Sequence, residues 1–137
     1  MKASSRKNSM KTILVDAINT FVSPEKEIFQ EMYQLLESYT QPKIILTGAN
    51  DEQIKAFGLD HMPYEVFTLK HNPEKNDPQY YQTMLKHFNL APQDTLYFEH
   101  NQEAVKSATS AGIHTYHFDK VLKDLVGLKK FIDDNIA

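Results

Sequence analysis

Short apolar runs alternate with longer amphipathic stretches along the chain, and that alternation leaves few folds open. The runs lie near Lys11–Asp16, Lys43–Leu46, Tyr64–Leu69, Thr95–Phe98 and Ile113–Phe118. Between them, apolar residues recur at helical spacing. One such face is Ile28, Met32, Leu35, Leu36 and Tyr39, and another is Tyr81, Met84, Leu85 and Phe88. Strands that alternate with helices pair in parallel, because each crossover helix returns the chain to the same edge. The pattern therefore predicts an α/β three-layer fold with a mainly parallel five-stranded sheet flanked by helices.

The helix limits are read from capping chemistry. Ser23-Pro24-Glu25 reads as a helix start, with Ser23 as N-cap, Pro24 in the first turn and acids beside it. Gly58 closes a short helix that begins at Asp51. Further helices are expected over Pro78–Asn89, Asn101–Ala111 and Lys120–Asn135, and Gly112 ends the second of these.

Three strands end on polar groups. The first runs into Asp16, the second into Thr47-Gly48 and the fourth into Glu99-His100-Asn101. In an open parallel sheet, ligands bind outside the carboxyl ends of the strands. A carboxylate, a hydroxyl and a second carboxylate are thus expected along one edge. Asp16 also has a plainer reading, as a strand-end residue that caps a loop.

The 137 residues favour one domain, here expected over 11–137, with residues 1–10 as a flexible tail. The net charge of −3 lacks the basic excess of a nucleic-acid binder. No apolar stretch approaches the roughly 20 residues needed to span a bilayer, so neither nucleic acid nor membrane is expected as a partner. The chain has no cysteine, which excludes disulfides, thiolate metal sites and cysteine nucleophiles. That composition suits a cytoplasmic protein.

Three segments, Lys75–Tyr81, Asp94–Asn101 and Ala104–Ala108 with Ala111–Ile113, together resemble the haloacid-dehalogenase-like superfamily of phosphatases and related enzymes. The resemblance rests on Lys75-Asn76-Asp77-Pro78-Gln79-Tyr80-Tyr81, on Asp94-Thr95-Leu96-Tyr97-Phe98-Glu99-His100-Asn101, and on Ala104-Val105-Lys106-Ser107-Ala108 with Ala111-Gly112-Ile113. These are similar to the family patterns K-P-D-P-x-x-Y, L-x-F-E-D-S and G-V-x-A-A-x-x-A-G-I. The resemblance spans about Lys11 to Ile132 and implies a Rossmann-like core. It also implies that there is no cap domain, because the Asp16–Thr47 and Thr47–Lys75 intervals are too short to hold one.

The resemblance implies roles residue by residue. Asp16 matches the nucleophile that becomes an aspartyl-phosphate. Thr47 and Lys75 match the groups that clamp the phosphoryl oxygens and neutralise charge, although Lys70 is a nearby rival for the lysine. Thr20, Gly48 and Asn101 would touch the bound group. Mg²⁺ would be held by Asp16, the Ile18 carbonyl, Glu99 and the His100 position. Such a set suits phosphoryl transfer, which needs positioning and charge neutralisation more than covalent help. The substrate would be a phosphorylated small molecule or macromolecule.

Two departures bear on activity. Ile18 stands where the family has a general acid/base aspartate, and such a group is worth roughly 10² to 10⁴ in rate. His100 stands where a second Mg²⁺-binding carboxylate is usual, and imidazole is a softer ligand. Asn19 and Ala104 replace glycines and are milder changes. Three readings follow from these residues: a phosphohydrolase of reduced or altered activity, a binding or regulatory module that has lost catalysis, or metal-free dehalogenase-like chemistry using Asp16 and Asn101.

Overall fold

The computed structural model describes residues 10–137; nine residues of the expected tail lie outside them. Five strands form one sheet: β1 (Thr12–Asp16), β2 (Lys43–Thr47), β3 (Glu65–Thr68), β4 (Thr95–Glu99) and β5 (His114–His117). Their order is β3-β2-β1-β4-β5, and every pairing is parallel. Among the described residues, four α-helices connect them, α1 (Gln30–Glu37), α2 (Asp51–Ala56), α3 (Pro78–Phe88) and α4 (Gln102–Ser110), and α5 (Leu125–Asn135) follows β5.

The layering follows from strand alternation. Successive side chains of β1 point to opposite faces. Ile13 and Val15 join Met32 and Leu36 of α1 and Leu128 and Ile132 of α5 in one buried cluster. Leu14 instead joins Tyr80, Tyr81, Met84 and Leu85 of α3 and Ala108 of α4. Ile13, Leu14 and Val15 are wholly shielded from solvent. Each contributes roughly 1.5–3 kcal/mol of apolar burial. A central strand covered on both faces reads as a continuous apolar run, which is why Thr12–Val15 shows no polar alternation.

Topology then positions the site. The chain leaves β1 toward β2 and β3, and returns on the other side of β1 to form β4 and β5. The strand order therefore reverses between β1 and β4. A crevice opens at such a switch point, at the carboxyl ends of the strands. Asp16 ends β1 and Glu99 ends β4, so both line that crevice.

Two helices start later than their sequences suggest. Ser23 does not cap α1, which begins at Gln30. The Ser23 hydroxyl instead accepts the N–H groups of Glu25 and Glu27, both at 3.2 Å. Lys26 turns at φ +71° and Val22 pairs antiparallel with Ile28. The Ser-Pro-acid signal thus closes a tight loop, since the same hydroxyl chemistry serves turns and caps alike. Gly58, also at φ +71°, lets this loop pack closely, because a Cβ there would lie 3.2 Å from the Lys26 side chain.

The last helix begins at Leu125 rather than Lys120. Asp119 accepts the N–H groups of Val121 and Leu122 in a turn, and Asp124 caps the helix through the Gly127 N–H at 2.9 Å. Asn19 adopts φ +70°, the left-handed backbone expected where a glycine is replaced by asparagine. No helix of the described residues is long and apolar enough to cross a membrane.

Candidate active site

Asp16 is 2% exposed and sits at the centre of a bonded cluster. Its Oδ1 accepts from Lys75 Nζ at 2.6 Å. Its Oδ2 accepts from the Thr20 hydroxyl at 2.6 Å and lies 2.5 Å from His100 Nδ1. Lys75 reaches in from the loop ahead of α3 and also contacts Glu99 Oε1, at 2.7 Å. One ammonium thus bridges the carboxylates of β1 and β4. The rival Lys70 pairs instead with Asp51 on the surface.

Glu99 is 1% exposed and held on both oxygens. Oε1 accepts from the Tyr97 hydroxyl as well as from Lys75. Oε2 accepts the Asn101 N–H at 3.0 Å and lies 3.3 Å from His100 Nδ1. The His100 nitrogen therefore sits between Asp16 Oδ2 and Glu99 Oε2, much as Lys75 sits between the other two oxygens. The ligand atoms of Asp16, Glu99 and His100 all lie within 4.8 Å of one another.

These contacts divide the charge. Burial alone would raise the Asp16 carboxyl, but the Lys75 ammonium and the bond to His100 outweigh it and hold the group well below the usual carboxylate range. Burial and the nearby Asp16 charge push Glu99 upward, against Lys75. Lys75 is desolvated, yet the two carboxylates hold it well above its usual value. The bond to Asp16 raises His100 despite burial.

A histidine raised in the folded state stabilises fully below its usual value of 6.5, and this contribution fades as pH rises through the folded-state value. Asp16, being lowered, stabilises above its usual 3.8 and loses that contribution as pH falls. Urea denaturation from about pH 5 to 9 should therefore show stability declining on the alkaline side. His100→Asn should flatten that decline, because asparagine does not titrate.

The remaining expected residues lie around this cluster. A hollow of about 380 Å³ opens over it, bounded in part by Asp16, Ile18, Thr47, Gly48, Lys75 and Asn101. Thr47 is buried; its hydroxyl accepts the Ala49 N–H at 3.2 Å, and its carbonyl accepts from Tyr80 at 2.7 Å. Asn101 lines the hollow but uses Oδ1 to cap α4 at the Ala104 N–H, 3.1 Å away. Thr20 bonds Asp16 directly, while Gly48 and Ile18 form walls without polar side chains.

Three supporting residues escaped the sequence reading. Tyr97 fixes Glu99 from two positions back on the same face of β4, a spacing that strand alternation could have revealed. Tyr80 donates its hydroxyl to the Thr47 carbonyl. His117 Nε2 lies 2.9 Å from the His100 carbonyl, a contact that depends on β5 lying beside β4 and has no local signal.

Comparison with known proteins fits this geometry. The family pattern of haloacid dehalogenase-like hydrolases matches residues 2–118. Among solved structures, a HAD-superfamily hydrolase, subfamily IA, variant 1, from Geobacter sulfurreducens aligns with a TM-score of 0.62 at 12% identity, covering 80% of this chain and 89% of that one. A dehalogenase aligns at 0.66 and 14% identity, covering 82% and 86%. A HAD family enzyme from Bacteroides thetaiotaomicron, solved as a mutant with magnesium and inorganic phosphate, aligns at 0.62 and 11% identity, covering 80% and 94%. Identities this low carry the fold alone. No curated protein matches the chain. With the family pattern spanning most of its length, the chain belongs to the haloacid dehalogenase-like hydrolase family.

Proposed function

We propose that this chain is a phosphohydrolase that forms an aspartyl-phosphate on Asp16. One observation carries the reading: a buried, ionised carboxylate faces an open hollow with an ammonium 2.6 Å from one oxygen. A carboxylate attacks a phosphate dianion only when their repulsion is cancelled, and Lys75 supplies that cation. Thr47 and Gly48 at the end of β2 also line the hollow, where phosphoryl oxygens would rest. The short intervals between Asp16, Thr47 and Lys75 support a site without a cap domain.

The donor set fits a small divalent cation. Asp16 Oδ2 and Glu99 Oε2 are hard oxygens, the ligands Mg²⁺ prefers. Asp16, Glu99 and the Ile18 carbonyl would hold the ion, with His100 ligating or turning aside. Bound there, Mg²⁺ would supply further charge neutralisation for the transferring phosphoryl group. His100 already bridges the two oxygens, which argues for weak binding.

Acetyl phosphate tests the reading without a natural substrate. The protein should gain one phosphoryl group by intact mass, and hydroxylamine should remove it, as expected for an acyl phosphate. An unmodified mass at high acetyl phosphate would overturn the assignment of Asp16.

A second reading, as a binding or regulatory module, has its own support. Both Asp16 oxygens are engaged, and Ile18 can move no proton. Restoring acids at both departures, with Ile18→Asp and His100→Asp together, separates the two. Under the module reading, the double variant gains Mg²⁺ binding by calorimetry and hydrolysis that the parent lacks. Turnover by the unaltered protein would remove that reading. Dehalogenase-like chemistry has less support, because Asn101 spends its side-chain oxygen on a helix cap.

A further inference from the structure

The hollow over Asp16 continues into a second one of about 240 Å³. The two share Ile18, Thr47, Gly48, Glu74 and Lys75, so a group bound at Asp16 can extend sideways between them. Ala49, Gln53, Phe57 and His71 complete the second hollow. Its polar members are largely paired with each other. His71 Nδ1 lies 2.8 Å from Glu74 Oε1, and its Nε2 lies 2.6 Å from Gln53 Oε1. Gln53 is fixed in turn by the capping box of α2, where its Oε1 accepts the Asn50 N–H at 3.0 Å. Ile18, Ala49 and Phe57 supply the apolar wall. Gly48 keeps the passage clear, since a Cβ there would stand 3.3 Å from Glu74 Oε1.

Resting on the phosphohydrolase reading, we infer that this second hollow is a leaving-group subsite for a phenolic ring, so that the substrate class is an aryl phosphomonoester. Two independent features converge on that class. The wall is apolar where the leaving group would lie. Ile18, at the expected acid position, cannot protonate a departing oxygen, and His100 Nδ1 is engaged between Asp16 Oδ2 and Glu99 Oε2, so the group leaves as an anion. A phenol ionises near pH 10, as tyrosine does. An alkoxide is far more basic, with water itself at about 15.7. The chemistry balances without an added acid. Asp16 attacks phosphorus, the P–O bond to the ring breaks, and the electron pair leaves on phenolate. Water then attacks the aspartyl-phosphate at phosphorus, its protons pass to phosphate and phenolate, and the Asp16 carboxylate is regenerated.

Phosphate release should be compared for phenyl phosphate, substituted phenyl phosphates and glycerol phosphate. The unaltered protein should favour phenyl over glycerol phosphate by roughly 10²-fold or more, the size of the missing acid's usual contribution. Its rates should fall steeply as the substituted phenol becomes more basic. Ile18→Asp should flatten that dependence. Phe57→Ala should raise KM for phenyl phosphate about tenfold, in line with losing apolar contact in a pocket. Phe57→Leu should restore much of that loss and covers the case in which alanine prevents folding. A tyrosine-phosphorylated peptide turned over as fast as phenyl phosphate would assign the ring to a protein substrate, whereas turnover confined to phenyl phosphate would assign it to a small molecule. Labelling by acetyl phosphate together with equal rates on aryl and alkyl esters would overturn the subsite and leave the phosphohydrolase reading standing. Failure of labelling and of all turnover would overturn both.

Discussion

Asp16→Asn should abolish phosphoryl transfer. Removing a nucleophile of this kind costs on the order of 10⁴-fold or more in turnover, and the acyl-phosphate mass should vanish with it. The effect on folding should be much smaller. Breaking a buried ion pair typically costs about 3–5 kcal/mol. Here Lys75 keeps Glu99 at 2.7 Å, and removing the Asp16 charge relieves the repulsion that pushes Glu99 upward. The measured loss in urea should therefore fall below that range. Large loss of activity with modest loss of stability is the signature expected of a nucleophile. A variant as active as the parent would remove Asp16 from the chemistry.

Lys75→Met should reverse that balance. Methionine fills similar space but leaves two buried carboxylates facing each other without their bridging ammonium. The cost should approach the full 3–5 kcal/mol or so at neutral pH. Glu99 offers an escape, because its carboxyl is already pushed upward and takes a proton more readily than Asp16. The variant should therefore regain stability more steeply than the parent as pH falls toward the carboxylate range. Denaturation curves for both proteins across that range check this. Equal stability at every pH would mean that the bridge carries no net energy.

The central sheet was legible because its strands obey a simple rule. A strand buried on both faces must be a continuous apolar run, and Ile13–Val15, Ile44–Leu46 and Leu96–Phe98 are such runs. Their polar ends follow from the same rule, since a buried run can end on charge only at an edge. Asp16, Thr47 and Glu99 were therefore visible before any geometry, and Lys75 followed from the motif it opens. Helix starts were less legible. Ser23 and Lys120 both stand at segments where side chains bond local backbone, and that signal is shared by turns and caps. What the sequence could not convey was which groups saturate one another. His100 lying between Asp16 Oδ2 and Glu99 Oε2, and His117 reaching the His100 carbonyl, depend on three strands arriving in register. The second hollow is likewise tertiary, since Ile18, Phe57 and His71 come from three separate loops or helix ends.

The proposed chemistry requires Asp16 to carry a phosphoryl group within this bonded cluster. Beryllium trifluoride mimics that group on a carboxylate, and its bound fluorines are directly visible by ¹⁹F NMR. Titration into the unaltered protein should give bound fluorine signals that strengthen with Mg²⁺ and are absent in Asp16→Asn. Bound signals that persist in Asp16→Asn, or no bound signal at saturating Mg²⁺, would contradict the account.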